Sequence, residues 1–113
     1  SEGGRTMIVV NLLLLLLAWG WQMLPGIDAA LVTVAFFERH IEPTGSTITN
    51  TLGFAAPSMN MIVIEPGARA DAALLRNVVA HEASHAQLGY NEAEAYAYGC
   101  AYSWTSVLCE ESE

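Results

Sequence analysis

The sequence predicts a small α+β domain, for three reasons. The run at 31–37, which is rich in β-branched and aromatic residues, and the apolar run at 59–65 are typical of strands. After Asp71 the apolar residues recur with the period of a helix. With 113 residues, the chain has material for one domain with a modest core, or for a smaller domain and an anchor.

A third strand is predicted between the two apolar runs. Pro43 and Gly45 mark a turn, and residues 46–51 alternate weakly after it. Pro66 and Gly67 close the run at 59–65. We therefore expect a short β-sheet of about three strands.

Two helices are predicted in the second half of the chain. Asp71 is suited to begin the first helix and Gly89 to end it. Asn91 can cap the second helix, which would run to about Trp104, and Glu94 is placed to complete a capping box. The apolar stripe of the first helix comprises Leu74, Val78, His81, His85 and Leu88.

The N-terminal segment 7–24 is apolar, with six consecutive leucines at 12–17. Its eighteen residues are close to the minimum for a membrane-spanning helix, and Trp19 and Trp21 suit a membrane interface. Three interpretations stay open: a membrane-associated helix, which we favour; a helix or strand buried by the rest of the fold or by a second copy; and a retained signal peptide. The last is weakened because Arg5 is its sole positive flank.

These features divide the chain into four parts. Residues 1–6 are expected to be a flexible N-terminus, 7–24 the apolar segment, 25–109 the folded domain, and 110–113 an acidic tail.

Composition restricts the partners of the chain. It has 53% hydrophobic but 14% charged residues, and its net charge is −8 with four basic residues. Nucleic acid is excluded as a partner because phosphate binding requires clustered cations. The two cysteines, Cys100 and Cys109, are too few for a four-ligand zinc knuckle. Whether they form a disulfide stays open, since pairing requires the chain to fold back after Trp104 and an oxidising compartment.

The segment His81-Glu82-Ala83-Ser84-His85 carries the clearest chemical signal. Two histidines four residues apart on a helix project from the same face, so both imidazoles can bind one tetrahedral ion. Glu82 lies about 100° further round the helix. From that position a carboxylate can act as a general base toward a water activated by the metal.

The simpler interpretation is that His81 and His85 are core histidines beside an exposed glutamate. Their apolar stripe places both rings toward the interior. Burying two imidazoles without partners would be costly, and a metal ion satisfies both. We therefore prefer a metal site.

These residues match the HExxH signature of the zincin metallopeptidases. The Asn-Glu pair at 91–92 also resembles the segment that supplies a glutamate ligand in gluzincins. The resemblance covers residues 59–104 and implies a minimal zincin-like domain. It implies that Zn²⁺ is bound by His81, His85 and Glu92, that Glu82 is the catalytic base, and that the strand at 59–65 pairs with extended substrate.

The sequence departs from the gluzincin pattern in two ways. The gap between His85 and Glu92 is short for a gluzincin and closer to that of metzincins, whose third histidine is lacking here. Tyr96, four residues after Glu92, stands where the family has an aspartate that supports the metal ligands. Glu94 is the alternative third ligand, but its capping role favours Glu92 for the metal.

The expected function is zinc-dependent peptide-bond hydrolysis, on a peptide or protein substrate, by a membrane-associated or extracytoplasmic protein. One alternative is a non-catalytic protein in which the site joins two helices. A second is a membrane-embedded assembly subunit, and homo-oligomers remain open. Two groups receive no functional role: His40, and the tyrosines Tyr90, Tyr96, Tyr98 and Tyr102.

Overall fold

The computed structural model describes residues 7–37 and 52–110. Within these ranges four strands form one mixed sheet in the order β1-β2-β4-β3. They are β1 (Met7–Asn11), β2 (Thr33–Phe37), β3 (Gly53–Ala56) and β4 (Met61–Ile64). β1 is antiparallel to β2, β2 is parallel to β4, and β4 is antiparallel to β3. Among the described strands, β3 therefore lies at one end of the sheet and β4 lies inside it.

The helices comprise α1 (Leu12–Trp19), α2 (Ala72–Ala83), α3 (Glu92–Tyr102) and a short α4 (Val107–Glu110). α2 continues through a π turn, Ser84–Leu88, so the helix that carries both histidines has 17 residues. The Asp71 carboxylate accepts a hydrogen bond from the Leu74 N–H at the start of α2. Gly89 ends the π turn with a positive φ of 67°. The predicted start of the helix at Asp71 and its predicted end at Gly89, after the π turn, are thus confirmed.

The α+β class is confirmed, but the expected strand number is wrong. The runs at 31–37 and 59–65 contain β2 and β4, whereas β1 and β3 were not predicted. β3 escaped detection because Gly-Phe-Ala-Ala has no β-branched residue. The strand predicted at 46–51, and His40, lie outside the described residues, as do 1–6 and most of the tail at 110–113.

The expectation of one N-terminal helix over 7–24 is also wrong. Asn11 ends β1 in an extended conformation and caps α1, because its side chain accepts a hydrogen bond from the Leu13 N–H. Gly20 ends α1 after eight residues. Four leucines of this segment are buried in the main core: Leu12, Leu15, Leu16 and Leu24. This agrees with the interpretation of a segment covered by the rest of the fold.

No helix in the described ranges combines the length and the apolar character needed to cross a bilayer.

The core lies between one face of the sheet and α2. Val34 and Ile62 from the central strands contact the cluster that includes Val78 and Val79 of α2. Burial of these side chains fixes α2 across the sheet. The histidines at the C-terminal end of the helix are consequently held close to the β3 side.

The C-terminal part folds back on α2 after Trp104. A disulfide joins Cys100 in α3 to Cys109 in α4, so the pairing left open by the sequence is present. Asn77 supports it from α2, since its amide donates to Cys109 Sγ at 3.1 Å. α3 lies very close to this point, because a Cβ at Gly99 would be 2.7 Å from Asn77 Oδ1.

Candidate metal centre

His81 and His85 present their rings side by side at the end of the long helix. His81 lies in the last turn of α2, and His85 lies in the π turn. Their ring centroids are 5.0 Å apart. Both rings are partly buried, with 17% and 21% of the side chains exposed, so one edge of each reaches solvent.

Glu92 completes a group of three donors. Its Oε1 lies 2.8 Å from His81 Nε2 and 3.2 Å from His85 Nε2. One donor atom from each of the three residues lies within 4.8 Å of the other two. Four-coordinate zinc holds its ligands at about 2.1 Å, so neighbouring ligand atoms are about 3.4 Å apart. Only small side-chain movements would therefore bring these donors onto one ion.

The turn between α2 and α3 explains why Glu92 reaches the histidines. Gly89 reverses the chain, and Asn91 caps α3 in a full capping box with Glu94. The Glu94 carboxylate accepts the Asn91 N–H at 2.9 Å. Glu94 is therefore occupied by the cap and is not part of the three-donor group, whereas Glu92 is free to face the two rings.

The tautomer of His85 is set by its second ring nitrogen. Nδ1 lies 2.8 Å from the Tyr90 carbonyl oxygen, which can only accept, so Nδ1 carries a proton. A neutral ring then directs the Nε2 lone pair at the Glu92 carboxylate. Two acceptors 3.2 Å apart repel unless a positive charge lies between them, as a proton or as a metal ion. The donor arrangement thus suits a cation.

The donor set defines a class of metal. Two imidazole nitrogens and one carboxylate oxygen are ligands that zinc accepts, and iron, cobalt and manganese accept them too. The Glu92 side chain is 78% exposed, so the group is open to solvent on one side. An open coordination position is typical of catalytic metal sites, whereas structural zinc sites are closed by four protein ligands.

The pKa values of the two carboxyl groups of the site are shifted in opposite directions. Burial raises the pKa of the Glu82 carboxyl to about 7; the electrostatic interaction with His85 opposes this shift and that with Glu92 adds to it. For Glu92, desolvation also raises the pKa, but the electrostatic interactions and hydrogen bonds with His81 and His85 together outweigh it and lower the pKa. Glu92 is accordingly the carboxylate suited to a cation.

Glu82 lies where the helix meets the edge of the sheet. A Cβ placed on Gly53 would be 3.6 Å from Glu82 Cγ and 2.6 Å from the Val63 carbonyl oxygen. Only glycine permits the close approach of β3 to the backbone of β4 at this point, where β3 also lies against the helix. Sequence reasoning missed Gly53, although an isolated glycine in an otherwise apolar stretch can signal close backbone contact.

Two cavities meet at this contact, and both are lined by Gly53 and Glu82. The larger, of about 490 Å³, extends along β3 past Phe54 and Ala55 and includes His85, Glu92 and Tyr90. The smaller, of about 300 Å³, is lined in addition by Leu52, Asn77, Val78, His81 and Leu108. Nothing in the sequence pattern indicated that Leu108 would reach the site.

The expected role of the strand at 59–65 has to be corrected. β4 is hydrogen-bonded to β2 on one side and to β3 on the other, so its edges are already paired. β3 is the strand that lines the larger cavity. An extended ligand at the site would lie against β3.

The tyrosines divide into two groups. Tyr96, Tyr98 and Tyr102 each donate their hydroxyl to a backbone carbonyl, of Leu108, Pro25 and Gln22. These hydroxyls therefore hold α3 against the neighbouring segments. Tyr90, in contrast, lines the larger cavity beside His85.

Together, the fold and the site define an α+β domain with a His-His-Glu group that can hold a metal ion beside a buried carboxylate. Comparison of the chain with protein-family models, with curated proteins and with solved structures gives no match. The choice of a function therefore depends on the geometry of the site.

Proposed function

We propose that the protein is a zinc-dependent, HExxH-type peptidase of the kind found in zincins. In this proposal His81, His85 and Glu92 bind Zn²⁺, and Glu82 is the general base. One observation supports it above all: three donor atoms within 4.8 Å of one another lie beside a buried carboxylate at the junction of two cavities.

Each residue of the site has a separate task. When bound, zinc supplies Lewis acidity, which polarises a substrate carbonyl and makes water a better nucleophile. Glu82 accepts a proton from the attacking water as the new carbon–oxygen bond forms. It then donates that proton to the leaving amine as the carbon–nitrogen bond breaks. A cation nearby also lowers the pKa of Glu82 from about 7, so its carboxylate is available at neutral pH.

Substrate binding is assigned to β3. An extended peptide can add to the edge of a sheet through backbone hydrogen bonds. β3 is at one end of the sheet among the described strands, and the larger cavity follows it from Gly53 to Ala55 and Pro57. A peptide in this position would carry its backbone past Glu82. We also assign the protein to an oxidising, extracytoplasmic compartment, which the Cys100–Cys109 disulfide supports.

The test pairs metal analysis with hydrolysis. Zinc content is measured by elemental analysis, and cleavage of a mixture of unstructured peptides is followed by mass spectrometry. We expect the wild-type protein to bind one zinc and to cleave peptides. Glu82→Gln should keep the zinc and cleave peptides at least 100-fold more slowly, because general-base catalysis contributes about 10²–10⁴-fold to the rate.

Glu94→Gln is the matched control, because Glu94 is a capping residue outside the donor group. It should keep both zinc and most of the activity. Unchanged cleavage in Glu82→Gln would exclude the mechanism, and a zinc-free wild-type protein would exclude the metal centre.

A non-catalytic zinc site is the second candidate. It is favoured by the way Glu92, the first residue of α3, bridges both rings of the preceding helix. A metal there would fix α3 to α2 and stabilise the fold. Zinc that raises the melting temperature in a protein without any cleavage activity would support this candidate.

A further inference from the structure

The smaller cavity beside Glu82 is suited to part of a substrate. We infer that it takes one uncharged aliphatic side chain next to the scissile bond, and that Leu108 determines which side chains fit. This inference rests on the proposed peptidase function and names its substrate class. We call this cavity the apolar pocket; its lining is Leu52, Gly53, Asn77, Val78, His81, Glu82 and Leu108.

The position of the pocket follows from the contact that both cavities share. Gly53 and Glu82 line the larger cavity as well as the apolar pocket. A peptide that lies along β3 in the larger cavity therefore reaches Glu82 at the Gly53 end of the strand. The next side chain beyond that point enters the apolar pocket, which places it beside the bond that Glu82 acts on.

The lining determines the chemistry of the side chain. Leu52, Val78 and Leu108 give the pocket aliphatic walls, and its ionisable side chains are those of His81 and Glu82. Among the described residues no arginine lines it, so an acidic side chain would lie against the Glu82 carboxylate without a guanidinium partner. A basic side chain would pair with Glu82 and occupy the proposed base. An uncharged aliphatic side chain neither repels the Glu82 carboxylate nor pairs with it.

The size of the pocket is sufficient for one side chain of a substrate. Its volume of about 300 Å³ is at the lower end of the range of about 300–1,000 Å³ for ligand cavities. Leu108 closes it from α4, where three contacts hold the backbone. Cys109 is bonded to Cys100, the Leu108 carbonyl accepts the Tyr96 hydroxyl at 2.7 Å, and the Leu108 N–H donates to Ser106 Oγ at 3.2 Å.

The first experiment measures cleavage preference with the oxidised, zinc-loaded protein. A proteome-derived peptide library is digested, and the residues flanking each cleaved bond are identified by mass spectrometry. We expect at least fivefold enrichment of Leu, Ile, Val and Met at one flanking position, with depletion of Asp and Glu. Leu108→Ala should shift the preference to Phe and Trp, and Leu108→Trp should shift it to Ala and Gly.

Val107→Ala and Val107→Trp are the matched controls. Val107 precedes Leu108 in the same helix but is 49% exposed and does not line the pocket. Both variants should keep the wild-type preference. Cleavage without a flanking preference, or with one that neither Leu108 variant changes, would overturn the pocket while leaving the peptidase function intact.

The second experiment does not depend on activity. Methyl NMR spectra of zinc-loaded Glu82→Gln protein are recorded with N-acetyl-leucine amide and with the similarly sized N-acetyl-asparagine amide. The leucine probe should shift the methyl signals of Leu52, Val78 and Leu108, the asparagine probe should not, and Leu108→Trp should abolish the shifts. Absent or equal shifts with the two probes would overturn the inference, whether or not the protein cleaves peptides.

Discussion

The two sides of the candidate site are built from different kinds of contact. The donor segment, residues 81–92, contains all three candidate ligands within twelve consecutive positions. The cleft wall, in contrast, consists of β3 and Leu108 of α4, which are more than fifty residues apart in the chain. Sheet pairing places one part of this wall, and a disulfide places the other.

This difference separates metal binding from substrate recognition. The donor segment depends on helix spacing, the turn at Gly89 and the cap at Asn91, all of which are local. The cleft wall depends on tertiary contacts to Val63, Val78 and Asn77. Changes in the donor segment should therefore alter metal affinity, whereas changes in the cleft wall should alter turnover or stability and leave the metal in place.

The largest effect is expected from removal of a ligand. Glu92→Gln and His85→Ala should each weaken zinc binding by at least about 100-fold. Even the loss of a residue that only hydrogen-bonds a ligand lowers metal affinity by about 10–100-fold. Zinc affinity is measured by competition with a chromophoric chelator. Glu94→Gln, two residues along the same helix, should remain within about threefold of the wild-type protein. Equal losses of zinc affinity in Glu92→Gln and Glu94→Gln would contradict the assignment of Glu92 as a ligand and of Glu94 as a capping residue.

The donor segment could be predicted from the sequence because each of its determinants is local. Histidines four apart, a glycine that ends a helix and an Asn-x-x-Glu cap can be identified without knowing the fold. The sequence even favoured Glu92 over Glu94, through the capping role of Glu94. The contact between β3 and the helix could not be predicted from the sequence. It depends on sheet pairing and burial, which bring together residues that are distant in the chain.

The N-terminal segment shows the opposite case. Its uniform run of leucines has no periodicity, so a membrane helix, a buried helix and a strand all fit the pattern. In the structure the segment is divided at Asn11, which is the last residue of β1 and the N-cap of α1. Leu12 and Leu16 are fully buried in the core. Hydropathy alone could not distinguish this buried arrangement from a membrane helix.

The next largest effect concerns the cleft wall at α4. Replacing both cysteines, Cys100→Ser with Cys109→Ser, should lower the free energy of unfolding by about 2–3 kcal/mol, as the chain-entropy model gives for a loop of about ten residues. Urea unfolding measures the change. Zinc affinity should stay within about threefold of wild type, because the donor segment lies outside the disulfide loop. A loss of zinc as large as that in His85→Ala would show that the two sides are coupled.

A smaller effect is expected from Gly53→Ala. The new Cβ would lie 2.6 Å from the Val63 carbonyl oxygen in β4 and 3.3 Å from Val78 Cγ1 in α2, so β3 has to shift away from β4 and from the helix. Displacing the strand that orients the substrate should reduce kcat/KM about tenfold while zinc affinity is kept. Gly67→Ala is the matched control, since its Cβ would make only an ordinary contact of 3.6 Å with Leu52. Wild-type activity in Gly53→Ala would remove β3 from the substrate site.

The smallest effect tests the far end of α3, which belongs to neither side of the site. Tyr98 and Tyr102 donate hydrogen bonds to the carbonyls of Pro25 and Gln22. Burial is the main cause that raises the pKa of each phenol from 10.0 to about 12; nearby tyrosines add to the shift at Tyr98, and Arg76 opposes it at Tyr102. Between pH 10 and 12 the unfolded chain therefore loses these protons while the folded protein keeps them.

Stability must fall as the pH rises through that interval, because the folded state then binds more protons than the unfolded state. The chain has no lysine, and both cysteines are bonded, so tyrosines dominate this range. Urea unfolding at pH 9, 10, 11 and 12 should show the decline, and Tyr98→Phe with Tyr102→Phe should flatten it. The same double variant should lower stability at pH 7 by about 1–2 kcal/mol through two lost hydrogen bonds. Zinc affinity at pH 7 should not change, because Glu92 lies at the other end of α3 from Tyr102. A weaker affinity would mean that the tyrosine contacts also position the ligand.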